Sequence, residues 1–216
     1  AGMLCAAFAS LVSGAVAQIP TASSPQDLPR TVDLRPSFEQ WNLVRSQQGD
    51  RPTCSAFTVA GAIEFAVAKR QGHSPKLSVE FLNWAANKSC GDTNDGGFFS
   101  HLWRGFANHG ICATSDLAYQ PEHNPAKPPP PEASADAKTR LGLGLRFNWI
   151  KEWNVNTGLT DAHVASIKRT LHEGWPVCGG FRWPKREQWV SDVLQMCPSN
   201  AVRDGHSILL VGYRDE

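Results

Sequence analysis

A proline tract divides this chain into two parts of different character. Pro121 and Pro125 precede the run Pro128-Pro129-Pro130-Pro131. Each proline ring fixes φ and removes a backbone donor, so residues 121–140 read as an extended connector unable to form a helix. Helical patterns lie before it. An apolar run opens at Cys54 behind Pro52 and Thr53 and stops at Lys69, Arg70 and Gly72, the residue types expected at the two ends of a helix. From Leu77 to Lys88, the residues Val79, Phe81, Leu82, Trp84 and Ala85 recur with the spacing of a helix with one buried side, and Leu102, Trp103, Phe106 and Ala107 continue that pattern. Strand character dominates after the tract, over Leu141–Trp153, Trp175–Phe181 and Ser207–Tyr213, with one helix between them over Asp161–His172, capped by Thr160 or Asp161. Ser207–Tyr213 is apolar enough to be a central buried strand. Helices first and strands later is the order of an α+β chain whose two lobes meet at a cleft.

Composition narrows the partners. The 216 residues are 41% hydrophobic, enough for one large core or two small ones, and no internal repeat is visible. The 21 basic and 20 acidic side chains are interspersed and leave a formal net charge of +1. A nucleic acid or an anionic membrane surface calls for a concentrated basic face, so neither is expected as a partner, and the chain is read as a monomer.

Residues 1–17 are uncharged and apolar and end in Ala15-Val16-Ala17, which fits the h-region and cleavage site of a signal peptide whose basic n-region is lost if the N-terminus is incomplete. A short buried helix is the structural alternative. Residues 18–30, rich in Pro, Ser and Thr, read as a flexible lead-in. Export implies a secreted or periplasmic location. With Cys5 removed, Cys54, Cys90, Cys112, Cys178 and Cys197 are an odd number, suited to one free nucleophile and two disulfides. Three connectivities are open, and sequence proximity favours Cys90 with Cys112 and Cys178 with Cys197.

Cys54 is the chemically conspicuous cysteine. The polar loop Arg45–Thr53 runs straight into it, and at a helix N-terminus the free N–H groups and the positive end of the dipole favour thiolate over thiol. Upstream, the amide of Gln48 can donate to an oxyanion forming beside the sulfur. A lone cysteine opening an apolar helix is more often a small buried hydrophobe. Gln48 before it and His206 on a distant apolar strand reverse that balance. His73, His101, His109, His123, His163 and His172 show no ligand spacing and read as bystanders, and no metal or cofactor is called for.

These motifs, Gln48 through Cys54-Ser55-Ala56-Phe57 and Asp204-Gly205-His206-Ser207-Ile208-Leu209-Leu210-Val211-Gly212-Tyr213, resemble the nucleophile segment and histidine strand of papain-like cysteine peptidases, in the family's order and at its separation. The resemblance runs from about Thr31 to the end. It implies a two-lobed α+β fold, with a helical lobe over 31–120, a connector over 121–140 and a β-rich, barrel-like lobe over 141–216. The implied activity is endopeptidase cleavage of polypeptides, with Cys54 as nucleophile, His206 as proton carrier and Gln48 in the oxyanion hole. Gly96 and Gly97 match the glycine pair whose backbone binds extended substrate in the family, and Gly97, Phe99, Gly180, Gly205 and Ser207 are carried over as pocket walls favouring a large apolar side chain two residues before the cut.

Departures are specific. Where the family reads Cys-Gly-Ser-Cys-Trp, this chain has Arg51-Pro52-Thr53-Cys54-Ser55, which removes a familiar disulfide and an aromatic neighbour of the nucleophile. The family's third catalytic residue, an asparagine in Asn-Ser-Trp-Gly more than a dozen residues beyond the histidine, has no counterpart between His206 and Glu216. The sequence is therefore read as truncated before its last hairpin, with no side-chain amide or carboxylate of residues 207–216 on the outer nitrogen of His206. Two other functions share these motifs: a non-catalytic papain-fold peptide-binding protein, and another Cys/His acyl-transfer enzyme such as a transglutaminase or amidase.

Overall fold

A computed structural model describes residues 8–13, 28–43, 46–154 and 156–215. The lead-in expected at 18–30 and most of the stretch read as a signal fall largely outside them. The central element is helix α2, Cys54–Gln71, which follows the short strand β2, Thr31–Asp33, and helix α1, Arg35–Gln40. α2 is buried on nearly every side because it lies between two packing layers. On one side Val59, Ile63 and Val67 meet Leu82 of α3, Val79–Cys90, and Leu102 and Phe106 of α4, Phe99–His109. On the other, Phe65 packs with Leu34, with Phe38 and Trp41 around α1, and with Ile167 and Leu171 of α6, Asp161–His172. Phe65, Ile63 and Leu82 are 1%, 0% and 0% exposed, and each contributes about 1.5–3 kcal/mol by leaving water.

The strand-rich half forms a four-stranded antiparallel sheet in the order β3-β1-β4-β7, with β1 at Phe8–Ser13, β3 at Leu145–Lys151, β4 at Val177–Pro184 and β7 at Val202–Leu210. A hairpin of β5, Trp189–Val190, and β6, Val193–Leu194, projects between β4 and β7. α2 packs on β7, which carries the helix N-terminus toward His206. Strand β8, Gly212–Arg214, turns away from β7 and pairs with β2, joining the end of the chain to the start of the helical half. α6 begins with a capping box in which the Thr160 hydroxyl accepts from the His163 amide and the His163 ring bonds back to the Thr160 amide.

The structure departs from the expected pattern at four places. The proline-rich connector contains helix α5, Pro131–Lys138: its last proline occupies the first helical position, where a missing N–H costs nothing, and Ala133 and Ala137 are buried against α3. Phe8–Ser13, inside the stretch read as a signal, is a strand inserted between β3 and β4. The apolar run at Ser207–Tyr213 is not central. β7 lies at the sheet edge and is half-buried, and just beyond its end the Val211 carbonyl accepts from the Leu34 amide at 2.7 Å.

The two expected disulfides are also absent. Cys90, Cys112, Cys178 and Cys197 are free thiols, as is Cys54. Their side chains face different surfaces. Cys178 is 2% exposed in the core beneath α2, and its thiol approaches the Thr58 carbonyl at 3.8 Å, whereas Cys197 follows the projecting hairpin. Cys112 is sealed among Phe81, Ala85 and Ala137, while Cys90 at the end of α3 accepts from Arg104 at 3.8 Å. Burial pushes the Cys178 thiol up to about 12 and the Cys112 thiol up to about 11, which makes both inert at neutral pH.

Candidate active site

Cys54 is the first residue of α2, and Thr53 is its N-cap. The Thr53 hydroxyl is engaged with the Tyr119 hydroxyl at 2.6 Å instead of capping the helix. The first-turn amides are thus not consumed by a cap, and their dipole acts on the sulfur. β7 brings His206 and Ser207 opposite. Desolvation by itself would raise the Cys54 pKa; the hydrogen-bonding imidazole of His206, the amide and hydroxyl of Ser207 and the His206 charge reverse it, so the thiol is held below its ordinary value. Gln48, Cys54, Phe57, His206 and Ser207 line one cleft of about 840 Å³. Gln48 donates one amide hydrogen to the Arg51 carbonyl at 2.6 Å, which fixes the side chain and leaves the second hydrogen to the cleft.

The glycine pair sits beside this cleft. Gly96 has φ +90°, and a Cβ there would stand 2.3 Å from the Pro52 carbonyl oxygen, so only glycine permits the loop before Cys54 to lie against it. Its amide donates to Asn83 Oδ1 at 2.9 Å, and the Gly97 amide donates to Ser55 Oγ at 3.1 Å. Ser55, where the family has an aromatic, thereby anchors the glycine pair to the nucleophile helix. Gly97 itself is open, with nothing within 4 Å of a Cβ position.

Phe99 does not wall the cleft as expected. It is 5% exposed and packs in the core with Leu102 and Phe106, while its neighbour Phe98 is 56% exposed at the start of α4. Gly180 pairs with Ser207 and Gly205 with Arg182 across β4 and β7, so these glycines surround the histidine in the sheet.

Sequence reading missed three residues around the site. Phe98 is one. Trp183 is the second: its ring meets the His206 ring edge-on, with centroids 4.7 Å apart, and its Nε1 donates to Glu187 at 2.7 Å. Glu187 takes a second indole donor from Trp189 at 3.0 Å, and these two bonds hold its carboxyl below the usual range. Asp215, the nearest downstream carboxylate in sequence, is paired with Lys168 on α6. The third residue is Arg51, buried between the nucleophile loop and α3. Among the described residues no cluster of His, Cys, Asp or Glu is arranged to hold a metal ion, and no described helix is long and apolar enough to cross a membrane.

The sequence pattern of papain family cysteine protease matches residues 28–216. The chain belongs to the papain family of cysteine proteases. No match is found among curated proteins. Among solved structures the chain is similar to xylellain, a cysteine protease from Xylella fastidiosa, with 23% identity, a TM-score of 0.64 and coverage of 93% of this chain and 78% of that one. It is also similar to digestive procathepsin L 3 of the Tenebrio molitor larval midgut, with 20% identity, a TM-score of 0.55 and coverage of 92% and 60%. The fold is accordingly papain-like α+β, and the protein is a cysteine peptidase acting on polypeptides. The family match begins at residue 28, so β1 lies outside it.

Proposed function

We propose that this peptidase cleaves polypeptides internally, through a Cys54 and His206 pair with Gln48 in the oxyanion hole. The observation that carries this reading is the placement of Cys54 at the N-terminus of α2 in one cleft with His206, Ser207 and Gln48. The thiolate attacks the peptide carbonyl carbon; a C–S bond forms while the carbonyl electron pair moves onto oxygen. That oxyanion is stabilised by the free amide hydrogen of Gln48 and by the Cys54 backbone N–H. The protonated imidazole of His206 gives its proton to the leaving amine as the C–N bond breaks. His206 then takes a proton from the water that attacks the thioester, and the C–S bond breaks to release the acid and restore the thiolate. Trp183, packed edge-on against the His206 ring, restricts the orientations open to the imidazole.

Substrate lies along Gly97 and Phe98, with Gly180, Gly205 and Ser207 opposite, and the exposed apolar ring of Phe98 favours an apolar side chain two residues before the cut. The papain-family match supports a location outside the cytoplasm, and the interspersed charges call for no nucleic-acid partner.

Digestion of an unfolded protein, with the new N-termini sequenced, tests the reading. Internal cuts preceded two positions upstream by apolar residues are expected. Deamidation of glutamine or cross-linking without chain cleavage would refute it. Gln48→Ala is expected to lower kcat roughly tenfold to a thousandfold with KM little changed, since the lost donor acts on the oxyanion and not on bound substrate; initial-rate kinetics check it.

A further inference from the structure

We infer that Arg51 is a positioning residue for catalysis, whose guanidinium locks the loop carrying Gln48 and Cys54 to the Gly96-Gly97 rim of the cleft. The inference rests on the peptidase reading above and assigns a function to the residue that stands in place of the family's first cysteine.

Arg51 is 6% exposed, and its guanidinium ties the loop before Cys54 to α3, to Asp95 and to residues 119–120. Its Nε and Nη2 bind the two oxygens of Asp95 at 2.9 and 2.8 Å, a bidentate fork. Its Nη1 bridges Glu80 Oε2 at 2.6 Å and the Gln120 carbonyl at 2.7 Å. The guanidinium carbon lies 4.4 Å from the centre of the Tyr119 ring, and that tyrosine holds Thr53, the residue before the nucleophile. On the other side Asp95 also accepts from Asn83 Nδ2 at 3.0 Å, and Asn83 Oδ1 receives the Gly96 amide. The Arg51 backbone carbonyl receives the Gln48 amide. One residue, through its guanidinium and its backbone carbonyl, therefore couples the oxyanion donor, the residue before the nucleophile and the substrate-binding backbone.

The chemistry requires arginine. Asp95 and Glu80 are 13% and 14% exposed and place two carboxylates against one cation, with His123 Nδ1 3.5 Å from Asp95. A lysine ammonium supplies the charge but not the planar fork that fixes direction. Direction is what matters here, because a shift of about 1 Å in a reacting group can cost on the order of a hundredfold in rate.

The test compares Arg51→Lys, Asp95→Asn and Glu80→Gln with wild type. Correctly folded sites are counted by titration with a thiol-directed epoxide, and kcat, KM and the alkylation rate of Cys54 are expressed per titrated site. Arg51→Lys is expected to lower kcat per site roughly tenfold to a hundredfold. Asp95→Asn should raise KM as well, because it also loosens the Gly96 rim, and Glu80→Gln should be milder than either. In a Gln48→Ala background the effect of Arg51→Lys on kcat should shrink, since part of it acts through Gln48. Wild-type kcat and KM per titrated site in Arg51→Lys and Asp95→Asn, with losses confined to yield or melting temperature, would overturn the positioning role and leave the peptidase reading intact. A wild-type protein that neither cleaves peptide nor takes up the epoxide at Cys54 would overturn both.

Discussion

Cys54→Ala is expected to abolish hydrolysis, by roughly 10⁴- to 10⁶-fold in kcat, while the protein folds as before. Alanine has the highest helix propensity, and the side chain lost from the first position of α2 is small and only half-buried. The stability difference carries a pH signature. The folded Cys54 pKa lies below its unfolded value, so the thiolate adds stability that is fully present above the ordinary thiol value of 9.0 and is lost as the pH falls through the depressed one. The melting-temperature gap between wild type and Cys54→Ala should therefore widen toward alkaline pH and close toward acid. Turnover surviving in the alanine variant would show that another group is the nucleophile.

Gly96→Ala should be the most damaging of the glycine substitutions around the cleft. Its φ of +90° disfavours any L side chain, and the added carbon would meet Pro52 O at 2.3 Å and Pro52 C at 3.3 Å, both backbone atoms that cannot rotate away. Left-handed backbone costs about 1–2 kcal/mol and overpacking about 1–3 kcal/mol, giving a loss of about 2–5 kcal/mol in urea unfolding. Because Pro52 lies directly before Thr53 and Cys54, kcat per folded site should fall as well. Gly97→Ala, with open space at its Cβ position, is the control and should unfold within about 1 kcal/mol of wild type. Equal stability for the two variants would contradict the packing described here.

What could be read in advance was local. The nucleophile helix, its glycine stop, the Thr160 cap and the strand bearing His206 follow from residue pattern and end signals within one segment. Phe99 was readable too: with Leu102 and Phe106 it forms an i, i+3, i+7 stripe that turns it inward and leaves Phe98 outside. The proline tract misled because proline bars a helix interior but favours the first position of one, which Pro131 takes.

The cysteine count misled because parity says nothing of which surface each thiol faces. Arg51 and Trp183 could not have been found by spacing. Glu80 and Asp95 reach Arg51 only after α3 folds back on α2, and Trp183 reaches His206 only through the β4–β7 register that pairs Phe181 with His206.

Mapping the alkylated cysteines after brief iodoacetamide treatment, across a range of pH, tests the active-site assignment most directly. Cys54 should be modified first, with a rate that levels off at a pH below the ordinary thiol range, while Cys112 and Cys178, at about 11 and about 12, stay unmodified in the folded protein. Labelling of Cys54 no faster than that of Cys90 or Cys197, or a Cys54 rate that keeps rising through pH 9, would contradict the assignment of Cys54 as an activated nucleophile paired with His206.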